Sequence, residues 1–258
     1  MMENLRWTGL LGLLGALLTG TGEFLLHFDS QARFGGAHGY AFMSDISEAR
    51  LTAGHFFAVA GVPFYFVGFW HLAGMLRPVG AKLAWATFLI TSYGFMFGLV
   101  WMGSRASIGS LVHHAALADV EPLIALYQQR YESLLQVTRV TTLLLSVLYI
   151  YAVLTGRSRY PRWMALTNPI LLTLASFGVF WAAPEVGKYL MPIAMNVAFG
   201  IFFTCSLWFG DTRLPAGHGE GSPAAAVTCV SSTESTLKDS EDEPRTPSRR
   251  RFHPQPAN

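Results

Sequence analysis

Six long apolar segments dominate this chain of 258 residues. They occupy residues 7–26, 55–76, 83–103, 140–155, 163–183 and 189–209. A hydrocarbon core about 30 Å thick requires about 20 apolar residues in each helix that crosses it. Only helices or closed barrels satisfy the backbone in lipid, and the segments are continuous rather than alternating. The sequence therefore predicts an all-α, polytopic membrane helix bundle with six transmembrane helices.

Charged residues are scarce and unevenly placed. They make up 13% of the chain, about half the share of about 25% that is typical of soluble domains. After residue 209 the sequence becomes rich in Ser, Pro, Thr and Gly, a composition typical of disorder. We therefore expect a six-helix transmembrane domain at residues 1–209 and a disordered cytoplasmic tail at residues 210–258.

Basic residues near the helix ends give the predicted orientation, because they favour the cytoplasmic side. The outer connections spread their basic residues over long stretches, whereas the inner connections are short. With the N-terminus inside, the inner set is Arg6, Arg77, Lys82, Arg157, Arg159, Arg162 and Arg213. We therefore expect an integral membrane protein with both termini in the cytoplasm, in a membrane that the sequence does not identify.

Two of the outer connections are long and carry helix signals. Asp45 followed by Glu48 is a capping box, which predicts a short helix from Ile46 towards the second span. In the other connection a start signal at Asp119 precedes a stretch without Gly or Pro that ends at residue 155. This pattern predicts one continuous rod for helix 4, with its outer half packed on the first long connection.

Three prolines and one histidine within the spans lead to further structural predictions. Pro63, Pro169 and Pro192 are predicted to kink helices 2, 5 and 6, because an internal proline removes a helix hydrogen bond. His71 lies beside Trp70 near the inner end of helix 2. An interfacial pair of these two side chains is the expected arrangement.

Glu23 and His27 are the candidate catalytic residues. They are four residues apart, so they share one face of the first helix. Ionisable side chains inside a membrane span are costly and usually face the protein interior at functional sites. The pair is suited to acid–base chemistry. The alternative is that Glu23 is an interfacial carboxylate paired with an arginine.

Further polar residues at or near the outer boundary complete the candidate site. We expect them to converge beneath the long connections and to bind a ligand. They are Asp29, Arg50, His55, Arg105 and Arg139, together with Asn196, which is buried one turn after Pro192.

Zinc or iron would accept the residue types of this cluster. However, the chain lacks the His-x-x-x-His and Glu-x-x-His patterns. The sequence therefore predicts no metal site. The sequence does not identify a cofactor or an oligomeric state, and it predicts the lipid bilayer rather than nucleic acid as a partner.

Two stretches in the first half of the chain carry a family resemblance. One is Gly-Glu-Phe-Leu-Leu at 22–26, followed by an aromatic, glycine-containing loop. The other is Arg-Leu-Thr-Ala-Gly-His at 50–55, which runs on to Pro-Phe-Tyr at 63–65 and Gly-Phe-Trp at 68–70. Over predicted helices 1 to 3 the chain resembles a microbial family of uncharacterised polytopic membrane proteins. The resemblance implies a class of protein and brings no assigned activity.

Three functions fit these observations. The first is an integral membrane protein with an outward-facing polar pocket that binds a small amphiphilic molecule, for which a membrane enzyme using acid–base chemistry is one form. The second is a small-molecule or proton-coupled transporter, with a water route past Tyr65, Tyr93 and Asn196. The third is a non-catalytic membrane scaffold that recruits partners through its tail.

Overall fold

The computed structural model describes residues 5–33, 40–114 and 121–211. These residues form seven α-helices and no strand, which confirms the predicted all-α class. The helices are α1 (Leu5–His27), α2 (Glu48–Leu76), α3 (Ala81–His114), α4 (Glu121–Leu154), α5 (Pro169–Ala182), α6 (Pro184–Leu190) and α7 (Ala194–Phe209). Short 3₁₀ helices occupy Ala41–Asp45, Arg162–Thr167 and Met191–Ile193. The predicted tail lies outside the described residues from position 212 onward, so it stays a prediction.

Within the described part of the chain, five helical stretches are long and apolar enough to cross a membrane. They are α1, α2, α3, α4 and the stretch Pro184–Phe209. This composition indicates an integral membrane protein. The remaining predicted span, at 163–183, forms the 3₁₀ helix Arg162–Thr167 and then α5, which has 14 residues.

The break in this fifth segment has a local cause. The side-chain oxygen of Asn168 accepts a hydrogen bond from the backbone N of Ile170 at 2.9 Å, and so caps α5. Pro169 then occupies the first turn, where a helix tolerates the missing N–H. The expectation that Pro169 kinks a longer helix is wrong, because Pro169 begins α5. Pro192 lies in the 3₁₀ turn that separates α6 from α7, and α2 continues past Pro63.

The long connections also differ from the prediction at one cap. Ser47 is the N-cap of α2, and its hydroxyl accepts from the backbone N of Arg50 at 3.3 Å. The predicted cap, Asp45, instead ends a 3₁₀ helix, and its carboxylate binds Arg33 at 2.7 Å. The predicted rod is confirmed, since α4 runs without interruption through Glu121–Leu154. Its predicted start at Asp119 lies outside the described residues.

Helices α1 and α2 form the closest helix pair, because small residues line both faces. A Cβ atom on Gly12 would lie 2.7 Å from the Cα of Gly68. A Cβ atom on Gly22 would lie 2.5 Å from the carbonyl oxygen of Gly54. Backbones that approach this closely exclude larger side chains and are typical of small-residue helix contacts in membranes.

The connections lie at two ends of the helix bundle. The long-loop end carries the C-terminus of α1, the N-terminus of α2 and the short helix α6, whose Tyr189 ring stacks on that of Phe28 at 5.2 Å. The short-loop end carries the start of α1, residues 77–80, residues 155–168 and the end of α7. There the backbone N of Arg159 donates to Met75 at 3.0 Å, and that of Asp211 donates to Arg159 at 3.0 Å.

Each end has its own apolar core. At the long-loop end, Tyr131 of α4 packs with residues of the first connection, which confirms the expected contact between them. This long-loop core comprises Leu26, Phe42, Met43, Ile46, Leu51, Ile108 and Tyr131. The other core extends to the short-loop end and includes Tyr65, Phe69, Leu145, Tyr149, Phe199, Phe202 and Phe203.

His71 differs from the predicted pair with Trp70, because it is fully buried while the ring of Trp70 packs on that of Trp85 at 5.6 Å. Its Nδ1 lies 2.8 Å from the carbonyl oxygen of Leu5, and its Nε2 lies 2.7 Å from the hydroxyl of Ser206. Ser206 in turn lies 3.1 Å from the hydroxyl of Tyr160. The histidine therefore links α1, α2, α7 and the connection after α4.

Candidate functional site

Glu23 lies at the centre of a buried polar cluster. Its Oε2 accepts a hydrogen bond from Nδ2 of Asn196 at 2.6 Å, and its Oε1 lies 3.6 Å from Nη1 of Arg105. The hydroxyl of Tyr65 donates to Oδ1 of Asn196 at 2.7 Å. These four residues come from α1, α7, α3 and α2, and each is less than 10% exposed. A buried charge is tolerated when it is paired and hydrogen-bonded, which is the arrangement of Glu23.

Arg105 is held by aromatic side chains as well as by Glu23. Its guanidinium lies over the ring of Trp101 at 4.3 Å and donates to the hydroxyl of Tyr131, through Nε at 3.1 Å and through Nη2. The rings of Trp101 and Tyr131 stack at 5.2 Å. A cation over an aromatic face is stabilised most when water is excluded. We call Glu23, Tyr65, Arg105, Tyr131 and Asn196 the polar cluster.

A cavity of about 120 Å³ lies next to the polar cluster. Glu23, Tyr65, Trp101 and Asn196 line one part of it, and the rest of its wall is mainly apolar. We call it the central cavity. The remaining lining residues are Thr19, Phe69, Thr91, Gly94, Phe95, Gly98, Met102, Leu135, Thr138, Thr141, Thr142, Leu145, Met195 and Phe199. Its composition suits a small molecule that is apolar over most of its surface and polar at one end.

Three of the eight predicted site residues thus come together, namely Glu23, Arg105 and Asn196. His27, four residues after Glu23, packs edge-on against the ring of Phe42 at 5.3 Å and does not line the central cavity. The predicted catalytic pair is therefore divided between the cavity and the long-loop core.

Asp29 belongs to a separate ion pair in the first long connection. Its carboxylate accepts from Nε and Nη2 of Arg33, both at 2.9 Å. Arg33 also donates to Asp45 at 2.7 Å. The hydrogen bonds from Arg33 lower the pKa of Asp29 to about 2. This arrangement stabilises the connection and leaves Asp29 away from the central cavity.

Arg50 caps the C-terminus of α1. It donates through Nη2 to the carbonyl oxygen of Phe28 at 2.6 Å and to that of Phe24 at 3.3 Å. A helix C-terminus carries partial negative charge and unpaired carbonyl groups. The contact therefore explains Arg50 as a structural residue.

The two other predicted residues lie elsewhere on the bundle. His55 lines a separate groove between α2 and α3, together with Ser107, Ser110 and His114. Arg139 is exposed on α4. Among the described residues, no three His, Cys, Asp or Glu side chains converge as a metal site would require.

Trp101, Tyr131 and Tyr65 contribute to the site without having been predicted as site residues. Trp101 and Arg105 are four residues apart, a spacing that places both on one helix face. This signal was present in the sequence. The position of Tyr131 in the site depends on how α4 packs against α3, which the sequence pattern does not show.

Comparison with known proteins gives one match. The comparison found no match among curated proteins and none among solved structures. The model of a family of unknown function, DUF6796, matches residues 1–209. This range covers the whole helical part, and it extends beyond the three predicted helices over which the sequence resembled an uncharacterised family. The chain belongs to the family of unknown function DUF6796.

Proposed function

We propose that this protein is a six-span membrane protein whose central cavity binds a small amphiphilic molecule. The observation that carries the proposal is the cavity itself, which combines an apolar wall with the Glu23 and Asn196 side chains at one part. A cavity of about 150 Å³ in another protein holds benzene. The central cavity, at about 120 Å³, matches a ligand group of similar size.

The sixth crossing is supported by length and by position. The 3₁₀ helix Arg162–Thr167 has six residues and α5 has 14. At about 2.0 Å and about 1.5 Å per residue they extend about 33 Å together, enough for the hydrocarbon core. The exposed side chains Trp163 and Trp181 lie near the two ends of this segment, as is typical of interfacial tryptophans.

Membrane insertion is supported by the surface of the bundle. Large apolar side chains are exposed on several helices, which is unusual for a soluble monomer. They include Leu17, Phe56, Leu89, Val147, Leu174 and Trp208. The short-loop end, with Arg6, Arg77, Lys82, Arg157 and Arg159, then faces the cytoplasm by the positive-inside rule.

The geometry favours ligand binding over the alternatives. Glu23 lines the central cavity and His27 does not, so a molecule in the cavity would meet the carboxylate without the imidazole. The transporter alternative expected a water route past Tyr65, Tyr93 and Asn196. Tyr65 and Asn196 are buried, whereas Tyr93 lies on the outer face of α3 in a different groove. The scaffold alternative depends on the tail, which lies outside the described residues.

The test is to recover the ligand with the protein. Wild type and Gly98→Leu would be purified in parallel from native membranes, and organic extracts would be compared by untargeted mass spectrometry. Leucine at position 98 projects into the cavity, because a Cβ there has Thr138 as its nearest neighbour at 3.9 Å. We expect a small amphiphile that is enriched with the wild type and depleted with the variant. Identical extracts would contradict the proposal.

A further inference from the structure

A groove of about 470 Å³ lies between α1 and α7 near the short-loop end, apart from the central cavity. The two helices approach closely beside it, because a Cβ atom on Gly9 would lie 2.8 Å from Cδ2 of Leu207. We call it the α1–α7 groove, and it combines one guanidinium with apolar walls. Its lining residues are Arg6, Leu10, Leu207, Trp208 and Phe209.

The polar and apolar parts of this groove follow the depth of the bundle. Arg6 lies in the first turn of α1 and is exposed, and Leu10 follows it one turn further from the short-loop end on the same face. Trp208, which is 79% exposed, forms part of the wall from α7. Tryptophan side chains near a helix end are typical of the boundary between hydrocarbon and headgroups. The arginine therefore lies at headgroup depth, and apolar surface extends from it towards the hydrocarbon.

The short-loop end also carries a surplus of positive charge. Its basic residues are Arg6, Arg77, Lys82, Arg157, Arg159 and Arg162. Among the described residues of this end, Asp211 is the one that is acidic. At the long-loop end, by contrast, exposed carboxylates such as Glu48, Glu121 and Glu185 accompany the basic side chains. Basic groups near a membrane surface attract anionic lipid, so the charge of the short-loop end favours a lipid of net negative charge over a zwitterionic one.

A phosphate group suits the guanidinium of this groove. Arginine binds phosphate oxygens through two parallel N–H donors, and its five donors allow this contact without engaging the whole group. A soluble phosphate would meet only Arg6, whereas a phospholipid would also cover the apolar walls with an acyl chain. The combination therefore favours a lipid over a free anion.

We infer that the α1–α7 groove binds a phospholipid of net negative charge, with its phosphate at Arg6 and one acyl chain along Leu10 and Leu207. This inference goes beyond the proposed function, because the groove shares no lining residue with the central cavity. The groove holds a lipid of the surrounding bilayer, and the cavity holds a different molecule. The two proposals can therefore fail independently.

Lipid binding to the purified full-length protein tests the inference. The protein in non-ionic detergent would be titrated with dioleoyl phosphatidylglycerol or dioleoyl phosphatidylcholine, and bound lipid would be counted by native mass spectrometry. We expect the first phosphatidylglycerol to bind with an apparent affinity about fivefold or more above that of phosphatidylcholine, which corresponds to about 1 kcal/mol for one basic residue. Soluble glycerol phosphate at the same concentration is expected not to displace it.

Two charge variants separate the groove from the general field of the short-loop end. Arg6→Gln removes the guanidinium that lines the groove, whereas Lys82→Gln removes the same charge from an exposed position outside the groove. Arg6→Gln is expected to weaken phosphatidylglycerol binding about fivefold and to leave phosphatidylcholine almost unchanged. Lys82→Gln is expected to change neither affinity by more than about twofold, because screening weakens its field at the groove.

A second pair of variants tests the apolar wall and stays informative if Arg6→Gln does not fold. Leu10→Ala shortens the wall and is expected to weaken the binding of both lipids. Leu17→Ala is its matched control, since Leu17 is exposed on α1 and does not line the groove. Equal effects of the two leucine variants would contradict an acyl chain in the groove.

Each contrary result overturns a stated part of the inference. Equal affinity of the wild type for the two lipids would overturn the preference for net negative charge. Equal effects of Arg6→Gln and Lys82→Gln would assign the attraction to the general field of this end instead of the groove. Displacement by glycerol phosphate would identify a free phosphate, not a lipid, as the ligand. The central cavity is tested separately, by the ligand extracts of wild type and Gly98→Leu.

Discussion

Arg105 has a different energetic role from the arginines near the surface of the bundle. It is 4% exposed, so its charge depends on Glu23, on Tyr131 and on the ring of Trp101. Arg50, by contrast, is half-buried and binds carbonyl groups at a helix end. Removing one partner of a buried pair leaves the other charge without compensation, whereas replacing both removes the problem.

This difference predicts strong coupling between Arg105 and Glu23. The single variant Arg105→Met is expected to lower the free energy of unfolding by about 3–5 kcal/mol, the usual cost of breaking a buried ion pair. The double variant Glu23→Gln/Arg105→Met is expected to be less destabilised than the sum of its two single variants. A double-mutant cycle on thermal or denaturant unfolding in detergent measures the coupling. Additive effects would contradict a direct pairing of the two charges.

Two glycines one turn apart on α3 provide a second prediction. A Cβ on Gly94 would lie 2.1 Å from the hydroxyl oxygen of Thr141, whereas a Cβ on Gly98 has Thr138 as its nearest neighbour at 3.9 Å. Gly94→Ala is expected to destabilise by about 1–3 kcal/mol through overpacking. Gly98→Ala is expected to be neutral or to stabilise by up to about 1 kcal/mol, because alanine favours the helix.

Unfolding midpoints of the two alanine variants decide between these outcomes. Thr141→Ala removes the nearest atom and is expected to relieve part of the cost of Gly94→Ala. Equal effects at both positions would mean that α3 and α4 are not separated at Gly98.

At the scale of single elements, local chemistry decides where helices begin and end. Asn168 and Pro169 start α5 through a side-chain cap and a proline in the first turn. Ser47 starts α2, while the carboxylate of Asp45 binds Arg33. Asp45 and Asp29 therefore both stabilise the first long connection by binding Arg33.

The Asp29 and Arg33 pair predicts a pH dependence for this connection. The pKa of Asp29 is about 2 in the folded protein, below its ordinary value of 3.8. A lowered carboxylate pKa stabilises the fold above the unfolded pKa, and this stabilisation is lost as the pH falls through the folded pKa. The wild type should therefore be more stable than Asp29→Asn near neutral pH.

Thermal midpoints across an acid titration test this dependence. The difference between wild type and Asp29→Asn is expected to shrink between pH 3.8 and about 2. Glu132→Gln, at an exposed position on α4, controls for loss of a carboxylate in general. A difference that stayed constant over this range would show that Asp29 contributes no linked protonation.

At the scale of the whole molecule, the short connections of the bundle lie together at one end. Arg159 bonds the backbone of Met75 and of Asp211 there, so three separate parts of the chain meet. Glu185, which is exposed in α6, lies at the opposite, long-loop end. The predicted orientation can therefore be tested at two single positions, one at each end of the bundle.

Cysteine labelling in sealed cells tests the orientation. In a Cys205→Ala/Cys229→Ala background, Ala81→Cys at the short-loop end is expected to react with a membrane-impermeant maleimide only after permeabilisation. Glu185→Cys is expected to react in intact cells. The reverse pattern would place the termini outside, and reaction of both in intact cells would contradict a membrane between the two ends.

Much of this architecture was predictable from composition and short-range pattern. The length of the apolar segments predicted the helices, because a segment that lies in lipid must make its backbone hydrogen bonds internally. The unbroken sequence of α4 likewise predicted one rod. Glu23 was singled out because a carboxylate near the end of an apolar helix requires a partner.

The identity of that partner depends on the tertiary structure. His27 has the right spacing along α1, yet Glu23 binds Asn196 and Arg105, which lie 173 and 82 positions further along the chain. His71 was expected beside Trp70 and instead bonds Leu5 and Ser206. Periodicity along one helix determines which residues share its face. Which of them meet across the bundle is determined by how closely the glycine-lined helix faces approach and by the packing around the central cavity.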